Sequence, residues 1–181
     1  YGAEWLKKWS PIGARDYHTL HLLQDNKISS FFTGCLTMTL KKFENVMHHD
    51  FVIAVDVSDA VVDRIKIKTK KNVMVRTHKL KMDKYTIDER MHLVEERLKE
   101  YQGASLVVTT RLHVALPCLA LGVPVLFIKT FNENIRIDTY LEYLHWVLEE
   151  DIDNYDFDNP LENKELFKKV AQDLEKLSCS F

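Results

Sequence analysis

The segment Thr109-Thr110-Arg111-Leu112-His113 has the residue types and spacing best suited to chemistry in this sequence. Arg111 carries a permanent charge on a planar fork that matches carboxylate and phosphate oxygens in pairs. His113, two residues on, can titrate near neutral pH and give or take a proton beside a bound anion. A blander reading stays open for both: Arg111 as a surface ion-pair partner, His113 as a hydrogen-bonded structural residue. Other candidates carry weaker signals. His18 and His21 share a helix face and His48 and His49 are adjacent, but no third ligand stands at a recognisable spacing, so no metal site is expected. Gly34 follows a strand-like run and suits either close backbone approach to a ligand or a simple turn. Arg15-Asp16 reads as a ligand contact or as a helix cap with a neighbouring charge. Cys35 has no histidine beside it in sequence and reads as a small core or wall residue rather than a nucleophile.

A strand has to deliver the Arg111 segment and a helix has to begin inside it. Ser105 to Thr109 is that strand, and the helix starts near Arg111 and stops at Gly122, where Pro124 enforces a turn into a second buried strand, Val125 to Ile128. Pro117 inside the helix removes a backbone donor, which implies a kink or a later helix start. Phe51 to Val57 is apolar on both faces and reads as a central strand covered by helices on each side. Val73 to Val75 begins another strand, leading to Arg76-Thr77-His78. Thr86 and Glu89 have capping-box spacing, and Ile87, Met91, Val94, Leu98 and Tyr101 give the following helix one apolar stripe. Gly103 sits where a left-handed cap belongs.

Elsewhere, Asp16 can cap a helix running to Leu23, and Ile28 to Phe32 reads as a strand broken at Gly34. Arg64 to Lys71 is a solvated helix end and loop. A helix is expected around Asp138 to Leu148, then the acidic, turn-rich stretch Asp151 to Pro160, then an amphipathic helix from Asn163 to Leu177. Strands alternating with helices at this spacing imply an α/β fold, a Rossmann-like doubly wound parallel sheet of about five strands. The strand ends before Gly34, Ser58, His78, Thr110 and Lys129 should open on one edge, where such sheets bind ligands.

At 181 residues the chain is the size of one domain, residues 1–181. A formal net charge of −2, with no long basic run, argues against nucleic acid as a partner. Three well-separated cysteines, Cys35, Cys118 and Cys179, fit a reducing compartment, and a cytoplasmic location is expected. The apolar stretch Val114 to Ile128 is interrupted by Pro117, Gly122 and Pro124 and falls short of the ~20 residues of a membrane span. No signal peptide opens the chain, and a first residue of Tyr1 suggests a cut N-terminus with sequence missing upstream.

Three blocks in order carry a resemblance. Val107-Val108-Thr109-Thr110-Arg111-Leu112-His113-Val114-Ala115, followed by Ala120-Leu121-Gly122-Val123-Pro124-Val125, closely resembles a signature of the polysaccharide pyruvyl transferase family. Upstream, Pro11-Ile12-Gly13-Ala14-Arg15-Asp16 with Thr19, and Phe32-Thr33-Gly34-Cys35-Leu36-Thr37-Met38-Thr39-Leu40, are similar to two further family blocks. The resemblance implies two Rossmann-like lobes like those of GT-B glycosyltransferases, of which this chain would be the C-terminal one. It implies transfer of a pyruvyl group from phosphoenolpyruvate to a sugar hydroxyl of a glycan or lipid-linked precursor, forming a ketal, with no cofactor beyond that donor substrate. Arg111 would then hold a donor anion, His113 would protonate the donor's methylene carbon, and Thr110, Arg15, Gly34 and Lys129 would contact substrate. One lobe alone should bind the donor weakly or not at all and should not turn over. Two readings compete: a nucleotide-sugar glycosyltransferase lobe with Arg111 on a diphosphate, and a non-catalytic ligand-binding domain.

Overall fold

The runs Val52–Val55, Leu106–Val108 and Val125–Ile128 contain no polar residue, and each is almost fully buried. Short runs of this kind, rich in β-branched residues, suit strands covered by helices on both faces. In the computed structural model, which describes residues 2–79, 81–130 and 135–178, they form the middle of a five-stranded parallel sheet. Its strands are β3 (Phe51–Val55), β4 (Asn72–Arg76), β5 (Leu106–Thr109), β6 (Val125–Lys129) and β7 (His145–Leu148), in the order β4-β3-β5-β6-β7. Two further strands, β1 (Ile12–Ala14) and β2 (Ser30–Phe32), pair with each other in a separate parallel sheet.

Helices cover both faces. Val61, Val62 and Ile65 of α3 (Asp59–Lys68) pack with Val52, Ala54, Leu106, Val108, Leu126 and Ile128 on one side. The alternate strand residues Ile53, Val55, Val107, Val125 and Phe127 meet α4 (Ile87–Gln102), α5 (Leu112–Leu121) and α7 (Phe167–Ser178) on the other. The remaining helices are α1 (Gly2–Lys8) and α2 (Tyr17–Asp25), whose Ala3, Leu6, Leu20 and Leu23 pack around the small sheet, and the four-residue α6 (Ile135–Asp138). This is the Rossmann-like doubly wound architecture that the strand and helix alternation predicts.

Several local expectations need correction. The run expected as a helix over Asp138 to Leu148 ends its helix at Asp138, and His145-Trp146-Val147-Leu148, aromatic and β-branched, becomes the edge strand β7 beside β6. The fifth strand of the main sheet is therefore β7, while β2 leaves for the small sheet. Gly103 is right-handed, φ −79°, and is glycine because a Cβ there would come within 2.9 Å of the Met47 carbonyl. The apolar stripe of α4 is only half used: Leu98 and Tyr101 pack into the core, whereas Ile87, Met91 and Val94 are exposed. Arg64 is not simply solvated; it bonds the carbonyls of Glu149 and Glu150 and pairs with Asp153. α7 starts at Phe167 rather than Asn163, because the Asn163 amide is bonded to the backbone of Val123 and Val125. Cys179 lies outside the described residues, and Cys35 and Cys118 are buried and free.

Gly34 illustrates why one position demands glycine. Its φ is +72°, and a Cβ would lie 2.6 Å from Cγ1 of Val170 on α7. The close approach at this turn is made by the chain's own helix. Gly34→Ala should lower stability by about 2 kcal/mol and Tm by roughly 4–8 °C, measured by thermal denaturation.

Candidate active site

The sheet order places a topological switch point between β3 and β5: the chain leaves β3 toward β4 across one face and leaves β5 toward β6 across the other. Ligands in doubly wound sheets bind beyond the carboxyl ends of strands at such a point. Asp56 follows β3, Thr77 and His78 follow β4, and Thr110-Arg111 follow β5. They meet there.

Thr109 is fully buried; its hydroxyl donates to the Val55 carbonyl (3.0 Å) and accepts from the Arg111 N–H (2.9 Å). Thr110 donates its hydroxyl to the Asp56 carbonyl at 2.8 Å. The Asp56 carboxylate accepts from the Thr77 hydroxyl (2.6 Å), the His78 N–H (3.2 Å) and Nε of Arg111 (3.0 Å). Burial opposes its ionisation, but these hydrogen bonds and the Arg111 charge outweigh that and hold its carboxyl below the usual range. Arg111 is the N-cap residue of α5, which makes no side-chain cap bond, so the first turn presents free N–H groups and a positive dipole end. Pro117 stands within the helix, which nevertheless begins at Leu112; its ring nitrogen offers no hydrogen to the carbonyl of His113.

Above these residues lies an open cleft of about 460 Å³ whose walls include Arg15, Thr110, Arg111, His113, His78 and Arg136. Arg15 follows β1 and is carried by the small sheet. Its neighbour Asp16 is committed to capping α2 through Thr19, and the Arg15 carbonyl accepts from the buried Tyr140 hydroxyl. The Tyr17 N–H likewise bonds the Thr139 hydroxyl, tying the start of α2 to the segment after α6. Arg136 arrives on α6. Among the described residues no carboxylate pairs with Arg15 or Arg136, and Asp56 is the single carboxylate on Arg111. His113 is held below the ordinary histidine range by burial and then by the charge of Arg15. His78 is lowered too, first by burial and, against the pull of Asp56, by Arg97 and Arg111; its Nε2 lies 2.7 Å from the Tyr101 hydroxyl. A second cavity of about 490 Å³, with largely aliphatic walls (Leu40, Leu93, Val94, Leu98, Pro117), shares His78 and His113 with the first.

Of the residues singled out in the sequence, Arg15, Thr110, Arg111 and His113 come together in the cleft. Gly34 and Lys129 do not. Gly34 faces Val170, and Lys129 pairs with Asp138 at 2.9 Å and sits over the Trp146 ring. Among the described residues no cluster of three or more histidines, cysteines or carboxylates could hold a metal ion, and no helix is long and apolar enough to cross a membrane. Asp56 and Arg136 were missed, and His78 was placed at this edge without a role of its own. Asp56 and His78 each follow the apolar run of a strand that ends at this edge, a signal the sequence does offer; Arg136 gives none.

The profile of the family described as polysaccharide pyruvyl transferase matches residues 1–130. The chain belongs to that family. No curated protein and no solved structure matches it. Membership of the polysaccharide pyruvyl transferase family implies a transferase activity with a glycan acceptor. The match spans β1 to β6 and holds Arg15, Asp56, His78, Arg111 and His113, while Arg136 and β7 lie beyond it.

Proposed function

We propose that the cleft binds phosphoenolpyruvate and that the enzyme passes its pyruvyl group to a glycan or glycan precursor as a ketal. The observation that carries this reading is the charge of the cleft: three guanidinium groups, of Arg15, Arg111 and Arg136, against which Asp56 is the one paired carboxylate among the described residues. Like charges gathered in one cleft call for a ligand with more than one negative group. Phosphoenolpyruvate carries a phosphate and a carboxylate on one small molecule. Arg111 and the first turn of α5 suit one anion, and Arg15 with Arg136 the other. The chain supplies one wall of a two-lobed cleft, and the second lobe supplies the other.

His113 then acts as the acid. It protonates the methylene carbon, the adjacent carbon becomes oxocarbenium-like, and a sugar hydroxyl attacks it. A second hydroxyl displaces phosphate, which leaves with the bonding electron pair; of the two hydroxyl protons, one balances the new methyl hydrogen and one ends on phosphate. An acid must be protonated to work, yet burial and then the charge of Arg15 disfavour the imidazolium form of His113. The donor's negative charges reverse this by favouring imidazolium. In the intact enzyme, the His113 resonances should titrate at a higher pH with phosphoenolpyruvate bound than without it. A donor that binds and leaves this titration unmoved would remove His113 from the chemistry, and an intact enzyme that does not bind phosphoenolpyruvate would end the reading.

A further inference from the structure

We infer that Asp56 is the positioning residue that aims Arg111 at the donor, an inference that rests on the donor reading of the cleft. Asp56, directly after β3, stands in the left-handed region, φ 51°, a conformation that costs a non-glycine residue energy and persists where its surroundings hold it. Five hydrogen bonds do so. Its N–H donates to the Arg76 carbonyl, its own carbonyl accepts from Thr110, and Thr77, His78 and Arg111 fill its carboxylate. Its side chain is 4 % exposed, whereas that of Arg111 is 45 % exposed.

The geometry assigns different jobs to the two ends of the Arg111 guanidinium. Nε is bound to Asp56, and no described residue bonds the two terminal nitrogens. The fork is thus held from behind with its paired donors free for a planar anion, which is how a long side chain is ordered before its ligand arrives. Thr77 bonds Oδ1 of the carboxylate and the His78 amide shares Oδ2 with Arg111, so the aim of Arg111 is set by the residues after β4 as well as by β3. Because the carboxyl is held below the usual range, the arrangement survives mild acidity and is lost only as pH falls through that depressed value.

A simple electrostatic account predicts the opposite effect for the decisive substitution. Asp56→Asn removes a negative charge beside an anion site and, by charge alone, should tighten donor binding. Loss of aim should weaken it. The test is a double-mutant cycle on the intact enzyme, with phosphoenolpyruvate and inorganic phosphate as titrants, over wild type, Asp56→Asn, Arg111→Ala and the double variant. Asp56→Asn should weaken phosphoenolpyruvate binding by about tenfold, and by less than about twofold once Arg111 is alanine. Asp56→Glu, which restores the charge but displaces it, should also bind weakly, and serves if the asparagine variant does not fold. Unchanged or tighter binding by Asp56→Asn overturns the inference, as does the same loss in both backgrounds, which would make Asp56 a clamp for its loops alone. If wild type binds phosphate but not phosphoenolpyruvate, the donor reading fails, while the cycle read with phosphate still decides the role of Asp56.

Discussion

His113→Gln should leave phosphoenolpyruvate affinity in the intact enzyme within about twofold of wild type and slow a single turnover by roughly 10²–10⁴-fold, the range of a lost general acid. Glutamine keeps the bulk and polarity of the side chain, and no described residue hydrogen-bonds the imidazole whose loss would disturb the fold. It cannot deliver a proton to carbon. The pH profile supplies a second signature. A general acid works when protonated, so the rate falls as pH rises through the His113 value in the donor complex, and that limb should vanish from the residual activity of the variant. Measuring donor affinity and single-turnover rate on the same folded protein separates the outcomes; a fully active His113→Gln enzyme would end the mechanism.

Arg111 should fail in the other direction. Arg111→Lys retains a charge but loses the fork and the Nε contact with Asp56, and donor affinity should fall roughly tenfold. Arg111→Ala should cost about 10–100-fold, the scale of hydrogen bonds to charged groups, and it also leaves the Asp56 carboxylate facing the incoming anion. The rate of the bound complex should change far less, and the limb due to His113 should persist. Calorimetric titration with phosphoenolpyruvate checks this. A rate loss at unchanged affinity would place Arg111 in the transition state rather than in donor binding.

The middle of the sheet was legible in the sequence because its strands are buried on both faces and therefore unbroken in their apolar character. Phe51 to Val55, Leu106 to Thr109 and Val125 to Lys129 all stand where their composition put them. Of the two edges, β4 was legible and β7 was not. His145–Leu148 is short and half-buried, and the apolar residues just before it read equally well as one side of a helix. The stripe of α4 could be seen but not its use, since periodicity reports that a face is apolar and not whether anything lies against it. At the site, a strand running into a helix start betrayed Arg111 and His113 within a few residues of each other. Asp56 and His78 stand at strand ends that the sequence marks, but their meeting with Arg111 depends on the order of the strands, and Arg15 and Arg136 arrive on the small sheet and α6, which no local pattern encodes.

The bond from Tyr140 to the carbonyl of Arg15, with its companion from Tyr17 to Thr139, bears on how such a chain can change in descent. Each tether joins a residue beyond 130 to the turn from β1 into α2, and so links the chain outside the family stretch to the chain inside it. A descendant could keep every residue of that stretch, exchange the remainder, and still carry Arg111 and His113 intact on β5 and α5. Arg15 would then sit on an unsupported turn and Arg136 would be gone, so the cleft would face a different anion while the signature stayed the same. On the donor reading, part of what would hold the substrate lies outside the stretch that carries the family signature.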